Sequence, residues 1–466
     1  MLEGTFMNCY MLVDFGSTYT KLSLVDIDNE KLIAKSSAHT TVNTNIKFGY
    51  EKALEKLKEE ISFENIKIVD ILGCSSAAGG LKMIAIGITP EFTVEAAKRA
   101  ATGAGARLLK SYSYFLKEKD ILEIDSLNPD IILLTGGAEG GNTKYILYNA
   151  KLLNNLKREI PIVVAGNSYA NENIREIFNG GNIKYEITEN VMPDVNRINA
   201  DPVREVIRKI FMKQIVTAKG MEDVEKITSE ILMPTPTAVL KAAKLLSYGT
   251  EKYEGIGDVM VVDIGGATTD VHTISEPIKD KNFFIDGLEE TCEKRTVEGD
   301  LGMRYSALSL YESVGEENFL KYNSNIENIR EKCEFRHNNP SILSDKESEI
   351  EFDEIMAKNC VEISVKRHSG KIRNSYIGGK NVIVQKGKDL REIKLVIGTG
   401  GILINSKKSA EILKQCKNKE KNYLLPIDPK FAIDKKYIMS AMGILSMRDE
   451  NLAYKILTEN IIDIND

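Results

Sequence analysis

An α/β chain built as two copies of one half, with a further α/β unit inserted in the first, is predicted by three observations in this sequence. The first is an apolar strand that ends in aspartate and turns through glycine into a second strand: Tyr10-Met-Leu-Val-Asp14-Phe-Gly16-Ser17-Thr18-Tyr-Thr20-Lys21, followed by the apolar run Leu22 to Ile27. The second is the same order far downstream, Val259-Met-Val-Val-Asp263-Ile-Gly265-Gly266-Ala-Thr268-Thr-Asp270-Val-His-Thr273, which duplication explains better than coincidence. The third is a set of continuous apolar runs, Asp130 to Leu134 and Pro161 to Ala165 among them, whose lack of alternation marks strands buried on both faces.

The remaining elements follow in order. Lys31 to His39 supplies a third strand, and Lys47 to Glu60 an amphipathic, highly charged helix. The strand Ile66 to Leu72 runs into Gly73-Cys74-Ser75-Ser76-Ala77-Ala78-Gly79-Gly80, a small-residue loop that is either a cleft wall or a close-packing corner. Leu81 to Gly87 is a strand. Thr89-Pro90-Glu91 opens a helix ending near Ala104-Gly105, because proline is tolerated in a first turn and an acidic residue suits its dipole. The strand Asp130 to Leu134 ends in Thr135-Gly-Gly-Ala-Glu139-Gly-Gly141. Pro161 to Ala165, a helix and the strand Lys184 to Thr188 form the insertion, placed around 150–215, with Pro202 to Gln214 as a helix. A helix over Met221 to Ile231 stops at Met233-Pro234-Thr235-Pro236-Thr237, and Thr237 caps the next, Ala238 to Ser247. Gly249 to Asp258 links the halves, which are therefore 1–248 and 249–466. In the second, Glu298-Gly-Asp300-Leu-Gly-Met-Arg304 precedes a helix, Tyr305 to Val314. Asp300 either faces a ligand or, with Gly299, makes the turn and helix cap. A polar, mostly helical segment around 305–370 and short charged strands between Asn381 and Leu395 lead to a third glycine turn, Leu395-Val-Ile-Gly398-Thr-Gly400-Gly401.

Glycine lets a main chain approach an anion and adopt positive φ, so that several N–H groups converge on phosphate oxygens; aspartate at the strand end can hold a hydrated Mg²⁺. A plain hairpin shares the local pattern. Three such turns in this order are more specific than any one. They nominate Gly16, Ser17, Thr18, Gly265, Gly266 and Thr268 for phosphate, and Gly398, Gly400 and Gly401 for a base or ribose. Lys21 either reaches phosphate or ends an exposed strand.

Composition sets the outer bounds. The 466 residues suffice for two to three domains, and 42% hydrophobic with 28% charged residues is ordinary for a globular chain. The net charge of -6 is spread along the sequence with no basic stripe, so no nucleic-acid partner is expected. No apolar run approaches the ~18 residues of a membrane span and no signal pattern opens the chain, so a cytoplasmic protein is expected, with Met1 to Phe6 a short extension before Met7. The six cysteines form no C-x-x-C pair and read as reduced thiols. The histidines, His39, His272, His337 and His368, read as surface or strand residues rather than ligands.

With these motifs the chain resembles the superfamily of actin, sugar kinases and 70-kDa heat-shock chaperones. The resemblance implies duplicated ribonuclease H-like, actin-type ATPase domains closing on ATP, with Asp14 and Asp263 as catalytic aspartates holding Mg²⁺ partly through water. It also implies a crossing helix at Ser440-Ala-Met-Gly443-Ile-Leu445, whose alternative is an ordinary packed helix. Glu139 either orients the attacking water, as an acidic residue near this place does in that superfamily, or is a solvated loop carboxylate. Nearly the whole length further resembles the accessory protein L family of methylaspartate (glutamate) mutase, abbreviated MutL. That likeness is carried by Val13 to Lys21, Cys74 to Leu81, Glu95 to Ala106 and Thr296 to Arg304. It is not the mismatch-repair ATPase of the same abbreviation, whose motifs are absent. The family implies a chaperone-like ATPase that protects or reactivates an adenosylcobalamin-dependent mutase or aminomutase. The rival readings are a small-molecule kinase, an iron–sulfur activase of a radical dehydratase, and a scaffold that binds nucleotide without turnover. Which mutase is served, and in what oligomeric state, stays open.

Overall fold

The structure, a computed structural model, describes residues 6–16, 18–41, 45–76, 81–181, 183–195, 197–216, 228, 230–278, 283–343, 345–417 and 420–464. Its first sheet runs, side by side, Lys31–His39, Tyr19–Asp26, Met7–Phe15, Ile66–Ser75 and Glu230–Pro234. Neighbours among the first three strands pair antiparallel, and the last three strands pair parallel. A second sheet repeats both order and direction with Glu293–Glu298, Thr269–Ile274, Val259–Ile264, Leu395–Thr399 and Lys430–Asp434, and adds Ile461–Asp463 at its edge. Two unrelated hairpins would not bring three further strands into the same places. The duplication therefore extends over each half, and the fold is the expected pair of ribonuclease H-like, actin-type α/β units with an α/β insertion in the first.

The insertion is larger than expected. Between the fourth and fifth strands of the first sheet the chain builds a separate all-parallel sheet, Arg107–Ser113, Lys82–Gly87, Ile131–Leu134, Ile162–Val164 and Tyr185–Ile187. Numbered by appearance these strands stand 2-1-3-4-5, a doubly wound order. Helices Thr93–Gly103 and Asp201–Val216 cover one face; Glu118–Leu127, Lys144–Leu153 and Asn171–Gly181 cover the other. The inserted sheet thus begins at Lys82, well before residue 150. Periodicity identifies Leu81 to Gly87 as a strand but not which sheet it joins, since that depends on partners far along the chain.

The two duplicated sheets share one core. Helix Thr235–Tyr248 follows the fifth strand of the first sheet and helix Met439–Leu445 that of the second, and both pack between Leu12 and Leu72 on one side and Val261 and Ile397 on the other. They cross in contact at Gly443, where a Cβ would land on the Ala238 carbonyl. The first of these helices starts at Thr235 rather than Ala238, with Pro236 in its first turn, where the missing N–H costs no hydrogen bond. Thr237 does not cap it; its hydroxyl is buried without a partner among the described residues. The expected helix from Met221 lies mostly outside the described residues, and Glu230 and Ile231 at its end are strand. Helix Thr93–Gly103 starts after Thr89-Pro90-Glu91, and Thr93 Oγ1 accepts from the Ile88 and Thr89 N–H groups. Among the described residues no helix is long and apolar enough to cross a membrane.

Candidate functional site

Strand alternation decides what the two aspartates face. Met11, Val13 and Phe15 enter the core on the insertion side while Leu12 enters the layer between the sheets, so Asp14, in phase with Leu12, faces that layer. Val259 and Val261 enter the same layer from the second sheet, Met260 and Val262 do not, and Asp263 is in phase with the first pair. Two carboxylates at the ends of equivalent central strands are thereby aimed at one place from opposite halves.

Lys21 joins them. It is the cross-strand partner of Asp14, donates from Nζ to Asp14 Oδ2 at 3.2 Å, and lies 3.7 Å from the centre of the Tyr437 ring. Burial works against its charge, but Tyr437, Asp14 and Asp263 together outweigh it and hold the ammonium above the usual lysine range. Asp14 is 3% exposed and fully engaged: Thr235 Oγ1 donates to Oδ1 at 2.7 Å, Ser440 Oγ to Oδ2 at 3.0 Å, and the Cys74 thiol to Oδ1 at 3.5 Å. Thr235 and Ser440 belong to the two crossing helices, so one carboxylate pins both. Lys21 is accordingly part of the aspartate centre and not an exposed strand end.

Asp263 has different company. Among the described residues no side chain donates to it, and its cross-strand partner is Asp270. Burial, then the Asp270 charge, push its pKa up to about 7 against the pull of Lys21. Asp270 itself is neutralised by Arg295, whose Nε and Nη2 donate to Oδ1 at 3.1 and 2.6 Å, and it accepts from Thr268 Oγ1 at 3.0 Å. Nearby, buried Asp434 accepts from the Ile438 and Met439 N–H groups and from Thr399 Oγ1, which fixes the start of helix Met439–Leu445.

The glycine turns hold the remaining nominated residues. Gly16 and Gly265 each use their own N–H to close the turn, onto the carbonyls of Tyr19 and Thr268. Neither they nor Gly266 have positive φ; Gly16 is needed because a Cβ would lie 2.5 Å from the Tyr19 oxygen. Thr18 accepts from the Thr40 N–H through its carbonyl, and Ser17 lies outside the described residues. Gly400 does have positive φ, +98°, and packs against the Ile264 carbonyl, which brings the third turn beside the second hairpin; Thr399 pairs with Asp263 across the sheet. Gly398 is confined by Leu413 and Leu403, whereas Gly401 faces open space. Behind the second hairpin, the Met303 and Arg304 N–H groups bond the Gly265 and Gly266 carbonyls, and Ser306 Oγ bonds that of Ala267.

Three readings from sequence need correcting in place. Glu139 is not gathered with the aspartates: it is held by the Ser168 N–H and hydroxyl and by Asn190 Nδ2 at 2.8 Å, all in the insertion, and these bonds outweigh burial to lower its pKa. Gly299 and Asp300 do make the turn after strand Glu293–Glu298, but Asp300 does not cap the following helix and its carboxylate is taken by Arg367 and Ser313. His368 is neither on the surface nor in a strand but ends the buried helix Glu347–His368, where its ring bridges the Thr273 and Thr296 hydroxyls. Sequence reasoning also passed over Asp434, although Phe431-Ala-Ile-Asp434 repeats the apolar run ending in aspartate. Tyr437, with φ 54°, left no such signal.

A divalent cation fits this centre in one particular way. Among the described residues no group of three or more His, Cys, Asp or Glu side chains could hold a metal, so a Mg²⁺ at this centre would be carried mainly by water and phosphate on one or two carboxylates. Asp263 is the carboxylate with capacity for it.

Comparison with known proteins places the chain. It is 49% identical over 463 residues to Protein MutL of Clostridium tetanomorphum, covering 98% of this chain and 100% of that one. Among solved structures it is similar to nucleotide-free acetone carboxylase (12% identity, TM-score 0.43, 95% of this chain and 70% of that), to xylulose kinase from Lactobacillus acidophilus (11%, 0.36, 98% and 93%) and to glycerol dehydratase reactivase (10%, 0.33, 94% and 99%). The model of the family described as MutL protein matches residues 10–461. With that match and that relative, each spanning almost its whole length, the chain belongs to the MutL protein family.

Proposed function

We propose that this protein is a cytoplasmic, Mg²⁺-dependent ATPase whose two halves, 1–248 and 249–466, close on one nucleotide. We propose further that its turnover protects or reactivates an adenosylcobalamin-dependent mutase or aminomutase. The observation that carries the reading is the convergence of Asp14 and Asp263 on one interdomain layer, with Lys21 within the field of both. Asp263 would hold the hydrated cation, which neutralises phosphate charge and lets water attack the terminal phosphate in line. Gly16 and Gly265 already use their N–H groups, so phosphate oxygens would be met by the donors that follow each, through Thr18 and Thr268. Lys21 would supply positive charge, while Asp14 keeps it in place and ties it to both crossing helices. Gly398 to Gly401 would border the nucleoside. Glu139 has no part in this reading.

The accessory role comes from the family. Its physical requirement is that the partner enzyme bind the two nucleotide states of this protein with different affinity, because a ligand shifts a conformational equilibrium only by that difference. The deciding experiment incubates an inactivated cobalamin mutase with this protein, ATP, Mg²⁺ and fresh cofactor. Recovered turnover that requires hydrolysable ATP is expected; recovery independent of ATP, or none with any such mutase, would refute the role.

A further inference from the structure

The second half grips the inserted unit along one line. The segment from Gly287 to Gly299 runs beside helix Thr93–Gly103, and its contacts climb in step with that helix. Gly287 sits against the Glu91 carbonyl, Glu289 O and Glu290 Oε1 accept from Arg99 at 2.8 and 2.7 Å, Thr102 O accepts from Arg295 Nη1 at 2.8 Å, and Gly299 lies under the Arg107 guanidinium. Leu288, 3% exposed, is among the described residues the single one of the second half in the core cluster that the insertion shares with the first sheet. Arg99 and Glu290 are 15% and 8% exposed, so separating them leaves charge in a poorly solvated place.

Arg295 is the point where this line meets the second aspartate hairpin. Two of its nitrogens hold Asp270 and the third holds the last turn of helix Thr93–Gly103, an end that favours a cation. Asp270 in turn holds the Thr268 hydroxyl. A phosphate that draws this hydroxyl to itself frees Asp270 Oδ2 for Arg295, and a guanidinium that shifts to move Nη2 from Oδ1 to Oδ2 carries its Nη1 with it, away from the place where it holds Thr102.

We infer that residues 287–299 form a latch on the inserted unit and that Arg295 is the positioning residue through which nucleotide at the second hairpin loosens it. The inference rests on the ATP reading above. The latch is the two-state element, seated or lifted, that such coupling requires.

The test is amide hydrogen exchange in the full chain over residues 93–103 and 287–299, with and without MgATP, while MgATP binding is followed separately by calorimetry. Exchange at least about fivefold faster in both segments with MgATP is expected. Leu288→Ala should raise exchange over 93–103 already without nucleotide and leave MgATP binding intact. Arg295→Met should abolish the response to MgATP and Arg295→Lys should restore part of it, a pattern that lost packing alone does not produce. MgATP that binds without altering exchange overturns the latch and leaves the ATPase reading standing. No binding of MgATP overturns both, and a full response in Arg295→Met removes that residue from the role.

Discussion

The two aspartate hairpins are copies in strand order and register, yet electrostatically they are opposites. Across from Asp14 stands Lys21; across from Asp263, at the same position of the turn, stands Asp270. The first carboxylate is closed by a lysine and by hydroxyls from both crossing helices, and it acts as a strut between halves. The second sits beside another carboxylate, and the guanidinium that compensates them binds the farther one. Duplication supplied two equivalent backbones, and one difference in side-chain charge gave them different work. The comparison also explains why Lys21 is shared: the cation that satisfies Asp14 also lowers the cost of charge on Asp263.

Removing each aspartate should separate these roles most sharply. Asp263→Ala is expected to lower ATP hydrolysis by about two orders of magnitude or more, the scale of lost cation and charge stabilisation, with little effect on thermal stability. Asp14→Ala should also stop turnover, but at a cost of about 3 kcal/mol in stability because Lys21 is left in a poorly solvated place without its carboxylate. Equal loss of stability in the two variants, measured by denaturant unfolding, would erase the distinction between strut and cation site. Near-normal hydrolysis in Asp263→Ala would remove the site altogether.

The strut needs the helices that it pins, and their backbones come closest at a glycine. Gly443→Ala places a methyl group on the Ala238 carbonyl, so the helices must part. Overpacking of this kind costs about 1–3 kcal/mol. Because the displaced helix carries Ser440, the nucleotide should bind more weakly as well. A variant with unchanged melting temperature would show that the crossing has room for a methyl group.

Asp263 makes the opposite prediction for stability. Its pKa in the fold, about 7, stands above the ordinary 3.8, so the fold is favoured where the group is protonated and loses that contribution as pH rises through 7. Asp263→Asn should therefore be more stable than the wild type at about pH 8, on the order of 1–2 kcal/mol after solvent screening, with the difference gone below about pH 4. Binding of MgATP by the wild type should weaken as pH falls below 7, since a cation needs the carboxylate ionised. A stability gain that persists unchanged at pH 4 would assign it to something other than the carboxyl charge.

How far sequence reading reached follows from what each signal encodes. Asp14, Asp263 and the glycines lie in contiguous patterns, and contiguous patterns survive without a structure. Sheet membership does not: Lys82–Gly87 reads as a strand from its own residues, but only pairing with Arg107–Ser113 and Ile131–Leu134 assigns it to the insertion. Partners contributed from remote elements were equally hidden. Thr235 and Ser440 reach Asp14 across 221 and 426 residues, and no local pattern marks a hydroxyl for a carboxylate that far away. Glu139 was left between two readings for the same reason: a glycine-rich loop after a buried strand is what both a catalytic edge and the rim of a doubly wound sheet look like.

Asp300 offers the smallest effect and the cleanest check on that lesson. Its segment follows strand Glu293–Glu298 and leads to the residues that back the second aspartate hairpin, so a ligand-facing role was a fair alternative from sequence. In the fold its carboxylate is turned to Arg367 and Ser313, whose bonds outweigh burial and hold its pKa below the usual carboxylate range. Asp300→Asn should therefore change hydrolysis by less than about twofold and cost about 0.5–1 kcal/mol, the scale of a half-exposed ion pair. A depressed pKa means that the pair stabilises the fold above the ordinary carboxylate pKa and fails as pH falls, so the deficit should be seen at pH 7 and vanish in acid. A tenfold fall in hydrolysis at unchanged stability would return Asp300 to the nucleotide and make the second hairpin's surroundings less one-sided than the comparison with Asp14 has them.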